Sequence, residues 1–159
     1  FFSSRRRHTR CSRDWSSDGV LFRSKVNSFS KMSYLTIGKI FNFMQNSKNK
    51  PFIAKIAERE SNYAILGTNE SISNPFIFRA GERYKALNIN NKNTLEFRIF
   101  ATPMNFKTFC KNIEFCDALT SFCSSGNSGI KEMNVEHFVN FINKTKSEYP
   151  NLIKFLDTV

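Results

Sequence analysis

Arg83-Tyr84-Lys85-Ala86-Leu87-Asn88-Ile89 and Thr94-Leu95-Glu96-Phe97-Arg98-Ile99-Phe100 are two alternating runs joined by Asn90-Asn91-Lys92-Asn93. In the first run Tyr84, Ala86 and Asn88 face one way, and Arg83, Lys85, Leu87 and Ile89 the other. In the second, Leu95, Phe97 and Ile99 oppose Thr94, Glu96 and Arg98. Such period-2 alternation marks strands, because successive Cβ atoms point to opposite faces. The asparagine-rich connection tolerates left-handed backbone, so an antiparallel hairpin over about residues 83–101 is expected. Glu96 and Arg98 then share a face about 7 Å apart along the strand. Spacing fits two readings: a solvated polar face with an ion pair worth at most about 1 kcal/mol, or a carboxylate and a guanidinium set out as part of a site.

Upstream, residues 33–46 place Leu35, Ile40, Phe43 and Met44 at helical spacing, with Ser33 or Thr36 as the cap. Ser47-Lys48-Asn49-Lys50 reads as a polar link, and Pro51 suits a first helical position. Phe52, Ile53 and Ile56 form the buried stripe of a helix that is expected to run to Ser61 or Asn62. Residues 67–74 are a loop by composition, and residues 76–78 a short strand candidate. Downstream, Asn105 caps a helix whose apolar face is expected to hold Phe106, Phe109, Cys110, Ile113, Cys116, Leu119 and Cys123 until Gly126 and Gly129 end it. Asn134 caps a further helix with Val135, Phe138, Phe141 and Ile142 inward, and Pro150 starts a last short one. The order of elements implies an α+β fold, a small antiparallel sheet packed with four to five helices on one face.

Residues 1–24 read differently from the rest. Asp14-Trp15-Ser16-Ser17-Asp18 is what the codons GAC TGG AGT TCA GAC encode, and Val20-Leu21-Phe22-Arg23-Ser24 is what GTG CTC TTC CGA TCT encodes. The stretch resembles a translated sequencing adapter and is expected to be a non-native, disordered leader, with residues 25–159 as the domain proper. An arginine-rich arm for nucleic acid is the competing reading. The chain holds 24 basic and 13 acidic residues; without the leader's six arginines and two aspartates, 18 and 11 remain, a net +7. Most of that charge is lysine scattered along the sequence, which suits a solubilising surface better than a nucleic-acid groove.

No apolar run approaches the ~20 residues that span a bilayer, and a cytoplasmic protein is expected. Cys110, Cys116 and Cys123 are odd in number and fall within one expected helix. His137 is distant in sequence, so zinc ligation is not expected.

The ordered set Arg83, Asn88, Thr94, Glu96, Phe97 and Arg98, followed by a long helix, resembles the C-terminal signature of the amidoligase family. Leu35-Thr36-Ile37-Gly38-Lys39-Ile40, the segment from Phe52 to Arg59 with Tyr63-Ala64, Phe115-Cys116-Asp117-Ala118-Leu119, and Tyr149 to Leu156 fit the same pattern. The family comprises predicted ATP-dependent carboxylate-amine ligases of the glutamine synthetase-like superfamily, carried by phages and other mobile elements. The resemblance implies the C-terminal part of such a catalytic domain with an incomplete glutamine synthetase-like fold, and carboxylate and amine partners that are small molecules or peptides. It also implies ATP and Mg²⁺ as cofactors, Glu96 as a catalytic metal ligand, and Arg98 as a catalytic contact to phosphate or acyl phosphate. Arg83, Asn88 and Arg59 are implied to bind substrate or nucleotide. Strand parity sets Arg83 and Asn88 on opposite faces, so a bulge or a turn position for Arg83 is required if both serve one site.

The sequence departs from the family where Ala101-Thr102-Pro103 stands in place of a further arginine and glycine, and it lacks the family's paired acidic strand and histidine strand. Glu96 alone cannot build an octahedral Mg²⁺ shell, so the polypeptide as written is expected to be inactive. A non-catalytic binding module and a small basic nucleic-acid-binding domain are the competing functions.

Overall fold

A computed structural model describes residues 22–24 by their backbone, and residues 34–59, 64–67, 86–88, 95–125 and 133–158. Its elements in chain order are β1 (Phe22–Ser24), α1 (Tyr34–Gln45), α2 (Lys50–Ala57), β2 (Leu87–Asn88), β3 (Leu95–Phe97), α3 (Phe106–Ser124), α4 (Val135–Lys144) and α5 (Pro150–Leu156). The α+β class expected from the alternating and helical patterns is what the molecule has. Leu87 and Asn88 pair antiparallel with Phe97 and Glu96, as the hairpin reading requires. The ladder continues past the strands, with Arg98 N donating to Ala86 O at 2.9 Å.

β3 is a central strand, in the order β1-β3-β2. Phe22–Ser24, assigned by sequence to the disordered leader, pairs antiparallel along the other edge of β3, with Arg23 opposite Glu96. An open strand edge offers amides and carbonyls that any backbone of matching register can take up, so this pairing does not depend on where the leader came from. The rest of the leader lies outside the described residues, as do residues 76–78, Gly126 and Gly129.

The helices pack around phenylalanine rings. Phe138 of α4 meets Phe43 of α1 at 5.3 Å, Phe122 at 5.5 Å and Phe115 at 5.7 Å between centroids, and Phe52 of α2 at 6.1 Å. Phe115 is in turn edge-on to Phe100, which follows β3. Edge-to-face pairs of this kind add about 0.5–1.5 kcal/mol each beyond the area they bury. Asn105 Oδ1 accepts from Thr108 N at 2.8 Å and Asn134 Oδ1 from His137 N at 2.9 Å, so both expected caps are made. Pro51 and Pro150 stand in the first turns of α2 and α5. No described helix is long and apolar enough to cross a membrane.

Three expectations are corrected. First, α2 ends at Ala57, several residues short of Ser61, because Glu58 adopts a left-handed conformation with φ 54° and ψ 30°. Second, Leu35 is exposed, and α1 buries Ile37, Ile40, Phe41, Phe43 and Met44 instead. Third, α3 carries two faces where one was expected. Lys111, Phe115, Ala118 and Phe122, with Asn112, Cys116, Leu119 and Cys123 beside them, form adjacent buried tracks. At about 100° per residue, Phe106 and Ile113 fall on the opposite side, where they are exposed together with Phe109.

The polar link before α2 is a single 3₁₀ turn, Ser47–Asn49, and Asn49 in it is buried. Its Nδ2 donates to Phe43 O and to Met133 O, each at 3.0 Å, and so ties α1 to the chain entering α4.

Candidate functional site

β3 presents Leu95 and Phe97 to one side and Glu96 to the other, yet all three are buried. The face bearing Glu96 is therefore covered, not solvated, and the reading as a weak surface ion pair is excluded. Register sets Asn88 directly across from Glu96, the closest side-chain relation in an antiparallel pair. Asn88 Nδ2 donates to Glu96 Oε2 at 2.7 Å. Arg98, two residues along the same face, donates from Nη2 to that oxygen at 3.3 Å and holds Nε 3.2 Å from Oε1. The last contact is close enough for an ion pair but is not aligned as a hydrogen bond. The Glu96 side chain is 3% exposed and that of Arg98 is 22% exposed, so the carboxylate lies behind and the guanidinium in front.

The structure thus brings Asn88, Glu96 and Arg98 together. Arg59 sits on a different element, half-buried just beyond the left-handed Glu58. Ala101 N donates to Ala57 O at 3.0 Å, so the end of α2 lies against the chain leaving the hairpin. Arg83 lies outside the described residues.

The donor set at Glu96 does not fit a Mg²⁺ ion. Oε2 accepts from Asn88 and Arg98 and Oε1 lies 3.2 Å from the Arg98 guanidinium, so a cation already stands against both oxygens, whereas Mg²⁺ binds through carboxylate oxygens in a near-octahedral shell of hard donors. Among the described residues, no three His, Cys, Asp or Glu side chains converge as metal ligands would. Arranged in this way, Glu96 orients Arg98. A carboxylate gripping the side of a guanidinium fixes its plane, and a fixed planar fork is the group that recognises phosphate or carboxylate oxygens.

A second buried charge lies at the end of α2 and carries no signal in the sequence patterns. Lys111 of α3 donates from Nζ to Ile56 O at 2.7 Å, lies 3.1 Å from Glu58 Oε2, and sits 4.2 Å from the centre of the Phe155 ring. Burial holds its ammonium below the ordinary lysine value of 10.5, while the hydrogen bond and charge of Glu58 pull the other way. On helical periodicity Lys111 reads as one more scattered surface lysine. Its neighbour in sequence, Asn112, and its position on the track of Phe115 are what set it inward.

Elsewhere on α3, Cys116 and Cys123 are buried free thiols. Burial pushes Cys123 up to about 12 and Cys116 higher still, beside the charge of Asp117. Glu114 accepts from Asn151 Nδ2 at 2.6 Å and from Leu152 N at 2.8 Å, so it caps α5 and takes no part in the hairpin cluster. Compared with known proteins, the chain matches no family model, no curated protein and no solved structure.

Proposed function

We propose that the hairpin forms one wall of the site of an ATP-dependent carboxylate-amine ligase of the amidoligase type, with Arg98 as its contact to phosphate or carboxylate oxygens. The observation that carries this reading is the buried Glu96 carboxylate clamped between Asn88 and Arg98. A buried ion pair is seldom a net source of stability compared with apolar residues of similar volume, so its presence in a three-stranded sheet favours a use for the guanidinium. Joining a carboxylate to an amine with ATP passes through an acyl phosphate, whose oxygens need a fixed cationic partner. Arg98 is the more exposed member of the pair and supplies one. Glu96 holds it, Asn88 holds Glu96 in turn, and Arg59 follows the end of α2.

Calorimetric titration of the full chain with ATP tests the reading. Binding is expected, weakened about tenfold by Arg98→Ala, as for loss of a charge-assisted hydrogen bond. Equal affinity in the variant and the wild type would contradict it. A second reading, binding without turnover, is favoured by the engagement of Glu96 Oε2 with both Asn88 and Arg98. ADP release from ATP with an amino acid or amine, abolished by Glu96→Ala, would overturn that second reading.

A further inference from the structure

Among the described residues, Glu58 is the non-glycine residue with a left-handed backbone. At the C-terminal cap of a helix this conformation belongs to glycine, which has no Cβ to clash. The turn is held from three directions. Glu58 N donates to Lys55 O at 3.3 Å, Ala101 N donates to Ala57 O at 3.0 Å, and Lys111 Nζ donates to Ile56 O at 2.7 Å. Lys111 also pairs with the Glu58 carboxylate at 3.1 Å. It therefore grips both the last turn of α2 and the side chain of the residue that ends it, a hold that glycine could not offer. Packing of the Lys111 ammonium against the Phe155 ring fixes it on a third side. Arg59 is the next residue, and Ala101, tied to Ala57, is three residues beyond Arg98.

We propose that Lys111 is a positioning residue: by holding Glu58 in the left-handed conformation it sets the direction in which Arg59 leaves α2, beside the chain that leaves the Arg98 strand. The role of Arg59 as an anion contact rests on the ligase reading above; the hold of Lys111 on the turn does not. The turn is built from a glutamate because the left-handed residue must carry a carboxylate for the lysine to grip.

The test is ¹⁵N NMR of the full chain, with inorganic pyrophosphate as the titrant. Lys111→Met is expected to shift the Arg59 backbone amide and to weaken pyrophosphate binding about tenfold, as far as Arg59→Ala does, since each loses one charge-assisted contact. The double variant is expected to bind no more weakly than Arg59→Ala alone, because two residues acting through one contact are not additive. A Lys111→Met protein that melts earlier but keeps the wild-type Arg59 amide and affinity would overturn the proposal and leave Lys111 a packing residue. Should Lys111→Met fail to fold, Glu58→Gln removes the charge the lysine grips and is read in the same way. If the wild type binds no pyrophosphate, the ligase reading fails, and the Arg59 amide in Lys111→Met alone decides whether the lysine positions the turn.

Discussion

Two ion pairs among the described residues have opposite polarity. On the hairpin the acid is inside, with Glu96 3% exposed and Arg98 22% exposed. At the end of α2 the base is inside, with Lys111 3% exposed and Glu58 44% exposed. The buried partner is the one the fold must satisfy, and the exposed partner is the one a solute meets. The hairpin thus presents a cation backed by a carboxylate and an amide, which suits an oxyanion. The α2 end presents a carboxylate whose cation is spent on a helix terminus and a left-handed turn, which suits a structural latch. Proximity of opposite charges is common to both; which charge is covered separates a candidate binding group from a clasp.

Substitution at Arg98 separates the two pairs most. Replacing it with methionine keeps much of the side chain's bulk but takes the guanidinium away from the buried Glu96 carboxylate. A loss of about 3 kcal/mol in urea unfolding at neutral pH is expected, the usual cost of removing one member of a buried ion pair. A loss below about 1 kcal/mol, the range of surface pairs, would mean that Glu96 reaches water and that the two pairs do not differ. Glu58→Gln is expected to cost less, about 1 kcal/mol, because Glu58 is partly solvated and Lys111 keeps Ile56 O. Equal losses in the two variants would remove the distinction drawn from burial.

A smaller effect sharpens the contrast through pH. Lys111 is held below its ordinary 10.5 by burial. Between those values the unfolded chain keeps a proton that the folded chain has lost, so this group makes stability rise with pH. Cys116 and Cys123 are raised from 9.0, and Tyr149, buried against Asp117, is raised from 10.0. Above their ordinary values the unfolded chain releases protons that the folded chain retains, so these three groups make stability fall as pH rises, for Cys123 until about 12. The two thiols remove about 0.8 kcal/mol by the pH at which they are half-ionised in the unfolded chain. Chemical denaturation from pH 8 to 10 is expected to show a fall from the thiols that shrinks in Cys116→Ala/Cys123→Ala. An unchanged fall in that variant would place the titration elsewhere.

Much of the fold was legible because it rests on local chemistry. Asn105 and Asn134 precede apolar runs as caps, Pro51 and Pro150 suit first turns, and the alternation that includes Leu87–Asn88 and Leu95–Phe97 marks paired strands. Glu96 and Arg98 were legible as neighbours because strand parity acts over two residues; Asn88 entered only through the family resemblance, and it is the hairpin register that sets it opposite Glu96. What escaped was everything decided by a third element. Alternation tells which face Glu96 is on, not whether that face is covered, and β3 is central because residues 22–24 lie along its far edge. The early end of α2 depends on Lys111 and Ala101, which meet it from α3 and from the chain after β3. Asn49, read as part of a polar link, is a staple because Met133 lies opposite in space. Phe106, Phe109 and Ile113 are apolar at helical spacing, which defines a stripe without saying what it faces.

In the proposed reading Arg98, backed by Glu96, is an oxyanion contact, and the Nε–Hε resonance of Arg98 in the ¹⁵N-labelled full chain reports on it directly. Titration with pyrophosphate is expected to move that resonance saturably, and Glu96→Gln, which loosens the grip, is expected to weaken the response. A resonance that stays fixed through the titration, in a chain that is folded and carries its other arginine signals, would contradict the claim and leave the Glu96–Arg98 pair a structural one.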